Sequence, residues 1–120
     1  DVEWSTLNDN HAEQNGGAIF NVGVLKVVGS RIDNNTAGEN GGGIANGNES
    51  KDKMLVKGHD EAGSVEIFKT AIVGNRAGEN GGGVFSSGGF VKIVMSIIKE
   101  NTACENGGGI YARNTDLDLE

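Results

Sequence analysis

The sequence predicts an all-β fold, a right-handed single-stranded parallel β-helix of about 4–5 rungs, each of roughly 25 residues and three short strands. Three observations predict it. A ten-residue phrase recurs four times, as NHAEQNGGAI, NTAGENGGGI, NRAGENGGGV and NTACENGGGI, beginning at residues 10, 35, 75 and 101. Apolar residues alternate with polar ones upstream of each phrase, the period of a strand. Glycine stands at 21 and proline at 0, and the glycines fall in runs at fixed places in the repeat. Self-similarity at a period of 20–50 residues is the mark of a solenoid, in which neighbouring units bury one another's apolar faces.

The intervals between phrases are 25, 40 and 26 residues, so one unit carries extra sequence. The pattern is lost over residues 47–63, GNESKDKMLVKGHDEAG, which reads as a loop inserted within the second rung. The domain is otherwise single, spanning 1–120. Val2 aligns with Val27, and Leu117 and Leu119 align with Val91 and Ile93, so both ends fall within a strand column and a fragment of a longer solenoid is expected. Uncovered terminal rungs otherwise invite further rungs or subunits to stack there.

Within each unit the first strand is marked by Leu25 and Val27 around Lys26, Val65 and Ile67 around Glu66, and Val91 and Ile93 around Lys92. A second apolar position precedes each leading asparagine by three, at Leu7, Ile32, Ile72 and Ile98. A third follows each glycine run, at Ile19, Ile44, Val84 and Ile110. These segments are too short for helices of ten or more residues. The outward positions of the first strand, Asp1, Lys26, Glu66, Lys92 and Asp118, alternate in sign, which favours stacking at about 4.8 Å.

The corners are polar files. Asn10, Asn35, Asn75 and Asn101 form one, and Asn15, Asn40, Asn80 and Asn106 another. Asparagine tolerates left-handed backbone angles, and its amide can donate to one neighbour while accepting from the other. The glycine runs at 16–17, 41–43, 81–83 and 107–109 lack the GK and hydroxyl residue of a phosphate loop, so they read as places where backbone packs on backbone. Ala12, Ala37, Ala77 and Ala103 make a small-residue file, and Ser5, Ser30, Thr70 and Ser96 a hydroxyl file. Ladders, not nucleophiles, are the reading of both.

These residues resemble the polymorphic outer-membrane protein repeats of chlamydiae, marked by GGA followed by an aliphatic residue and by an FxxN phrase. Residues 16–19 read GGAI; the other copies read GGGI, GGGV and GGGI, and the second phrase appears as LNDN, IDNN, IVGN and IKEN. The resemblance covers nearly the whole chain outside the insertion. It implies a right-handed β-helix on an extracellular or cell-surface protein, with adhesion or scaffolding as its role, and brings no catalytic residues.

A net charge of -7 and a pI near 4.7 disfavour nucleic acid and anionic membranes as partners. No stretch reaches the length of a membrane span. Cys104 is the only cysteine, which excludes an intrachain disulfide and leaves an exposed thiol, incidental or cross-linking. His11 and His59 are too far apart in the pattern to pair on a metal. No catalytic, cofactor or metal site is expected. The one place for calcium is the file Glu39, Glu79 and Glu105, with Gln14 in the first rung, where a cation would relieve repulsion unless the side chains splay into solvent.

Two outward apolar files remain. Phe20, Phe85 and Tyr111, interrupted by Ala45, could stack on sugar rings or dock a protein partner, or could be buried beneath a neighbouring loop. Val28, Phe68 and Val94 invite the same pair of readings, and Met54, Leu55 and Val56 of the insertion could lie over either file. The function read from these features is a structural or adhesive module offering a stiff surface to protein or carbohydrate. The alternatives are a non-catalytic part of a polysaccharide-active β-helix enzyme, and a fibre or spike segment of a virus or phage.

Overall fold

A computed structural model of the chain describes residues 1–47 and 63–120. The first rung consists of β1 (Val2–Glu3), β2 (Thr6–Asn8), β3 (His11–Ala12) and β4 (Ile19–Asn21). The second holds β5 (Val24–Val28), β6 (Arg31–Asp33), β7 (Thr36–Ala37) and β8 (Ile44–Asn46). The third holds β9 (Ser64–Phe68), β10 (Ala71–Val73), β11 (Arg76–Ala77) and β12 (Val84–Ser87). The fourth holds β13 (Phe90–Val94), β14 (Ile97–Lys99), β15 (Thr102–Ala103) and β16 (Ile110–Arg113), and β17 (Asp116–Leu119) follows.

Equivalent strands stack in parallel into four sheets, ordered β1-β5-β9-β13-β17, β2-β6-β10-β14, β3-β7-β11-β15 and β4-β8-β12-β16. This is a parallel β-helix, consistent with the right-handed sense that parallel crossovers take. The rung has four strands where the sequence suggested three. The additional one is the two-residue pair around Ala12, Ala37, Ala77 and Ala103, which is too short to show alternation and so read as a corner.

The register is the one the repeats imply: Ile32 pairs with Leu7 and Ile72, Ile44 with Ile19 and Val84, and Val65 with Leu25 and Val91. Inward residues from three of the sheets meet in one core, led by Val27, Ile32, Ile44, Val65, Ile72, Val84 and Val91, all fully buried. Burying each such side chain contributes about 1.5–3 kcal/mol, which offsets the entropy of ordering a rung that is irregular at its corners.

The corners turn on left-handed residues. Asp9, Asn34, Gly74 and Glu100 have positive φ, and each stands immediately before a member of the first asparagine file. The ladder asparagines themselves do not take those angles, so their place depends on the amide and not on backbone tolerance. In the glycine corner the first glycine of each run is left-handed, at φ of 68, 68, 65 and 63 for Gly16, Gly41, Gly81 and Gly107. The second glycine is required for a different reason: a Cβ on Gly42 would run into the carbonyl oxygens of Gly82 and Arg76 in the rung above.

Candidate partner-binding surface

The corner files bond rung to rung. Asn10, Asn35 and Asn75 each donate both backbone N–H and side-chain Nδ2 to the Oδ1 of the next asparagine, at 2.9–3.0 Å. The same Nδ2 atoms also reach back to strand carbonyls, Asn35 to Leu7 and Asn75 to Ile32, both at 2.9 Å. In the second file the donation reverses: Nδ2 of Asn40, Asn80 and Asn106 each donates to the Oδ1 of the asparagine one rung earlier. The hydroxyl file is bonded as well, Ser5, Ser30 and Thr70 each donating backbone N–H to the hydroxyl of the next rung. These side chains are engaged in structure.

A fourth polar file joins these three. Asn21 donates to Asn46 Oδ1 at 2.9 Å, Asn46 to Ser86 Oγ at 3.1 Å, and Thr115 to the same Ser86 Oγ at 3.1 Å. Asn21 also clasps Gly23, accepting from its N–H and donating to its carbonyl at 3.2 and 3.1 Å. Asn46 clasps Gly63 in the same way, at 3.2 and 2.9 Å, although sixteen residues separate them where one separates Asn21 from Gly23. The signal was an asparagine or serine at a constant offset from the repeat phrase, obscured by Ala112 in the last copy.

The aromatic file has the expected register, Phe20 beside Ala45, Ala45 beside Phe85, and Phe85 beside Tyr111. Its accessibility is uneven. Phe85 and Ala45 are fully buried and Phe20 is 48% exposed, while the Phe85 and Tyr111 rings stack with centroids 5.6 Å apart and planes nearly parallel, at 3°. Phe85 therefore cannot meet a partner directly; it supports Tyr111. Whether Met54, Leu55 and Val56 cover this file falls outside the described residues, as does His59.

The outward face of the sheet β1-β5-β9-β13-β17 offers a more continuous surface. An open cleft of about 430 Å³ is lined by Lys26, Glu66 and Lys92 on one side and Val28, Phe68 and Val94 on the other, with Ile67 beneath. Register places Lys26 beside Glu66 and Glu66 beside Lys92, as the alternation of signs required. The Lys92 ammonium forms ion pairs onward with Asp118 at 3.7 Å and Glu120 at 3.6 Å. Lys69 places its Nζ 5.1 Å from the centre of the Phe68 ring. Cation and aromatic thus sit together on a half-buried apolar strip.

Glu39, Glu79 and Glu105 stack through their backbones, Glu79 N–H donating to Glu39 O at 2.7 Å and Glu105 N–H to Glu79 O at 2.9 Å. Among the described residues, however, no group of three or more His, Cys, Asp or Glu side chains is placed to hold a metal ion. The calcium candidates are stacked without forming a cage. His11 is exposed on β3, and Cys104 is an exposed free thiol. No helix among the described residues is long and apolar enough to cross a membrane.

With this geometry in place, two segments of the chain match a known family. The Chlamydia polymorphic membrane protein repeat matches residues 5–22 and 96–113. Each segment runs from a residue of the hydroxyl file through both asparagine corners to the strand after the glycine run. The chain therefore carries β-helix repeats that resemble those of that family. No curated protein and no solved structure gave a match.

Proposed function

We propose that the chain is a structural, adhesive module of an extracellular or cell-surface protein, holding a rigid lateral face against a protein or carbohydrate partner. The observation that carries this reading is the unbroken bonding of polar corners from rung to rung, which fixes the outward residues in straight files. A face so held loses little conformational freedom on binding, and preorganisation of this kind raises affinity without enlarging the contact. The cleft beside Phe68 is the part of that face best suited to contact, because it joins an aromatic ring, aliphatic walls and charges of both signs. The repeat match to a Chlamydia membrane protein supports the surface setting. No catalytic step is assigned to the chain.

Beads coated with the protein, tested for adherence to cultured cells and on a glycan array, check this reading. A Phe68→Ser variant that keeps its thermal unfolding midpoint should lose about tenfold or more in retention, a typical loss for an aromatic anchor. Equal retention by the variant, or no retention by either protein on any surface, would refute it. Antibody labelling of intact source cells tests the setting: signal only after permeabilisation would place the module inside the cell.

A further inference from the structure

The sequence contains five Asn-Gly steps, at residues 15, 40, 46, 80 and 106. In a flexible chain this pairing is the most prone to deamidate, because glycine lacks a Cβ and its nitrogen reaches the preceding side-chain carbon without steric hindrance. The glycine nitrogen attacks the asparagine Cγ, forming an N–C bond and a five-membered imide. The Cγ–Nδ2 bond breaks, and Nδ2 leaves as ammonia with the proton from the glycine N–H. Water then opens the imide at either carbonyl, giving aspartate or isoaspartate.

Every requirement of that reaction is opposed at the interior steps. The nucleophilic N–H groups are bonded across rungs: Gly41 N–H donates to Asn80 O at 2.9 Å, Gly81 N–H to Asn106 O at 2.9 Å, and Gly47 N–H to Asn21 O at 2.8 Å. The leaving amides are bonded too, Asn40 to Asn15 Oδ1, Asn80 to Asn40 Oδ1, and Asn46 to Ser86 Oγ and Gly63 O. Asn40, Asn46 and Asn80 are all at least 95% buried, away from the base and water the steps need.

The geometry points to Asn40, Asn46 and Asn80 as latent modification sites whose conversion to aspartate or isoaspartate is gated by opening of the coil. The gate closes in one direction only. An aspartate at position 80 has no Nδ2 to donate to Asn40 Oδ1, and the two oxygens would then face each other within a buried corner. An isoaspartate also adds a methylene to the main chain just before a left-handed glycine, so the rung above can no longer align. Opening followed by this chemistry turns a reversible fluctuation into a permanent break, in any setting and with any partner.

Peptide mapping by mass spectrometry tests this after incubation at mildly alkaline pH, folded and in denaturant, beside hydrogen exchange of the folded protein. In denaturant all five steps should convert at similar rates. In the folded chain, conversion at Asn40, Asn46 and Asn80 should slow by about a hundredfold or more, following the population of the locally open rung. Their order should match the exchange rates of the Gly41, Gly47 and Gly81 N–H groups. Conversion at Asn80 as fast when folded as in denaturant would overturn the proposal. So would slow conversion beside a freely exchanging Gly81 N–H.

Discussion

The two asparagine corners share a residue type and differ in what the amide replaces. In the first corner the backbone N–H of Asn35 has no main-chain acceptor in the next rung; it bonds to the Asn75 side chain at 2.9 Å. The carboxamide there substitutes for a missing strand. In the glycine corner the glycines already bond main chain to main chain, Gly41 to Asn80 O and Gly42 to Gly81 O, and a side chain stands in for a main-chain acceptor only at Asn80, whose N–H donates to Asn40 Oδ1 at 3.2 Å. The ladder thus takes the backbone N–H of three successive rungs on one edge of the coil, and shares the load with glycine main chain on the other.

Five variants, each measured by denaturant unfolding, sharpen that contrast. The largest effect is expected in the glycine corner from the main chain itself. Gly82→Ala drives a Cβ into the carbonyl oxygens of Thr102 and Gly108 and should cost more than about 3 kcal/mol or abolish folding. Gly109→Ala is its control, since the new Cβ would meet only Ile98 Cγ2 at 3.5 Å, and its unfolding midpoint should stay near that of the parent. Next comes Asn75→Ala, which strands the buried Asn35 N–H and removes bonds to Ile32 O and Asn101; a loss of about 2–4 kcal/mol is expected. Asn80→Ala removes only two side-chain bonds and leaves the main-chain stack whole, for about 1–2 kcal/mol. Equal losses for the two asparagines would erase the distinction between the corners. The smallest effect is Lys92→Ala on the exposed face, where ion pairs of 3.6 and 3.7 Å should contribute less than about 1 kcal/mol and less still in high salt.

Register was legible in the sequence because the repeat phrase is long and its offsets are constant: Leu7, Ile32, Ile72 and Ile98 could be stacked from spacing alone. Features without a period were not legible. The two-residue strand at Thr36–Ala37 is shorter than one cycle of alternation, so nothing in it distinguishes strand from corner. The conformational tolerance of asparagine suggests left-handed backbone at the ladder residues, whereas in the first file it falls on the varied residues Asp9, Asn34, Gly74 and Glu100 before them, whose only common property is position. Alternation placed Phe85 outward, and it says nothing about what covers an outward side chain; Phe85 is fully buried. The cleft beside Phe68 combines two outward files, one charged and one apolar, whose shared face follows from alternation, whereas the hollow between them is visible only in three dimensions.

Asn21 and Asn46 make the same clasp, one across a single residue and the other across sixteen. Closing the rung is therefore a local matter settled by one carboxamide and one glycine, and the length of chain leaving and re-entering between them is free to vary. Loop-closure entropy grows only slowly with length, each doubling adding about 0.6 kcal/mol. The coil thus holds a port at which sequence can lengthen, shorten or be exchanged while the rungs on either side keep their alignment, a natural position for grafting a foreign epitope or a second domain.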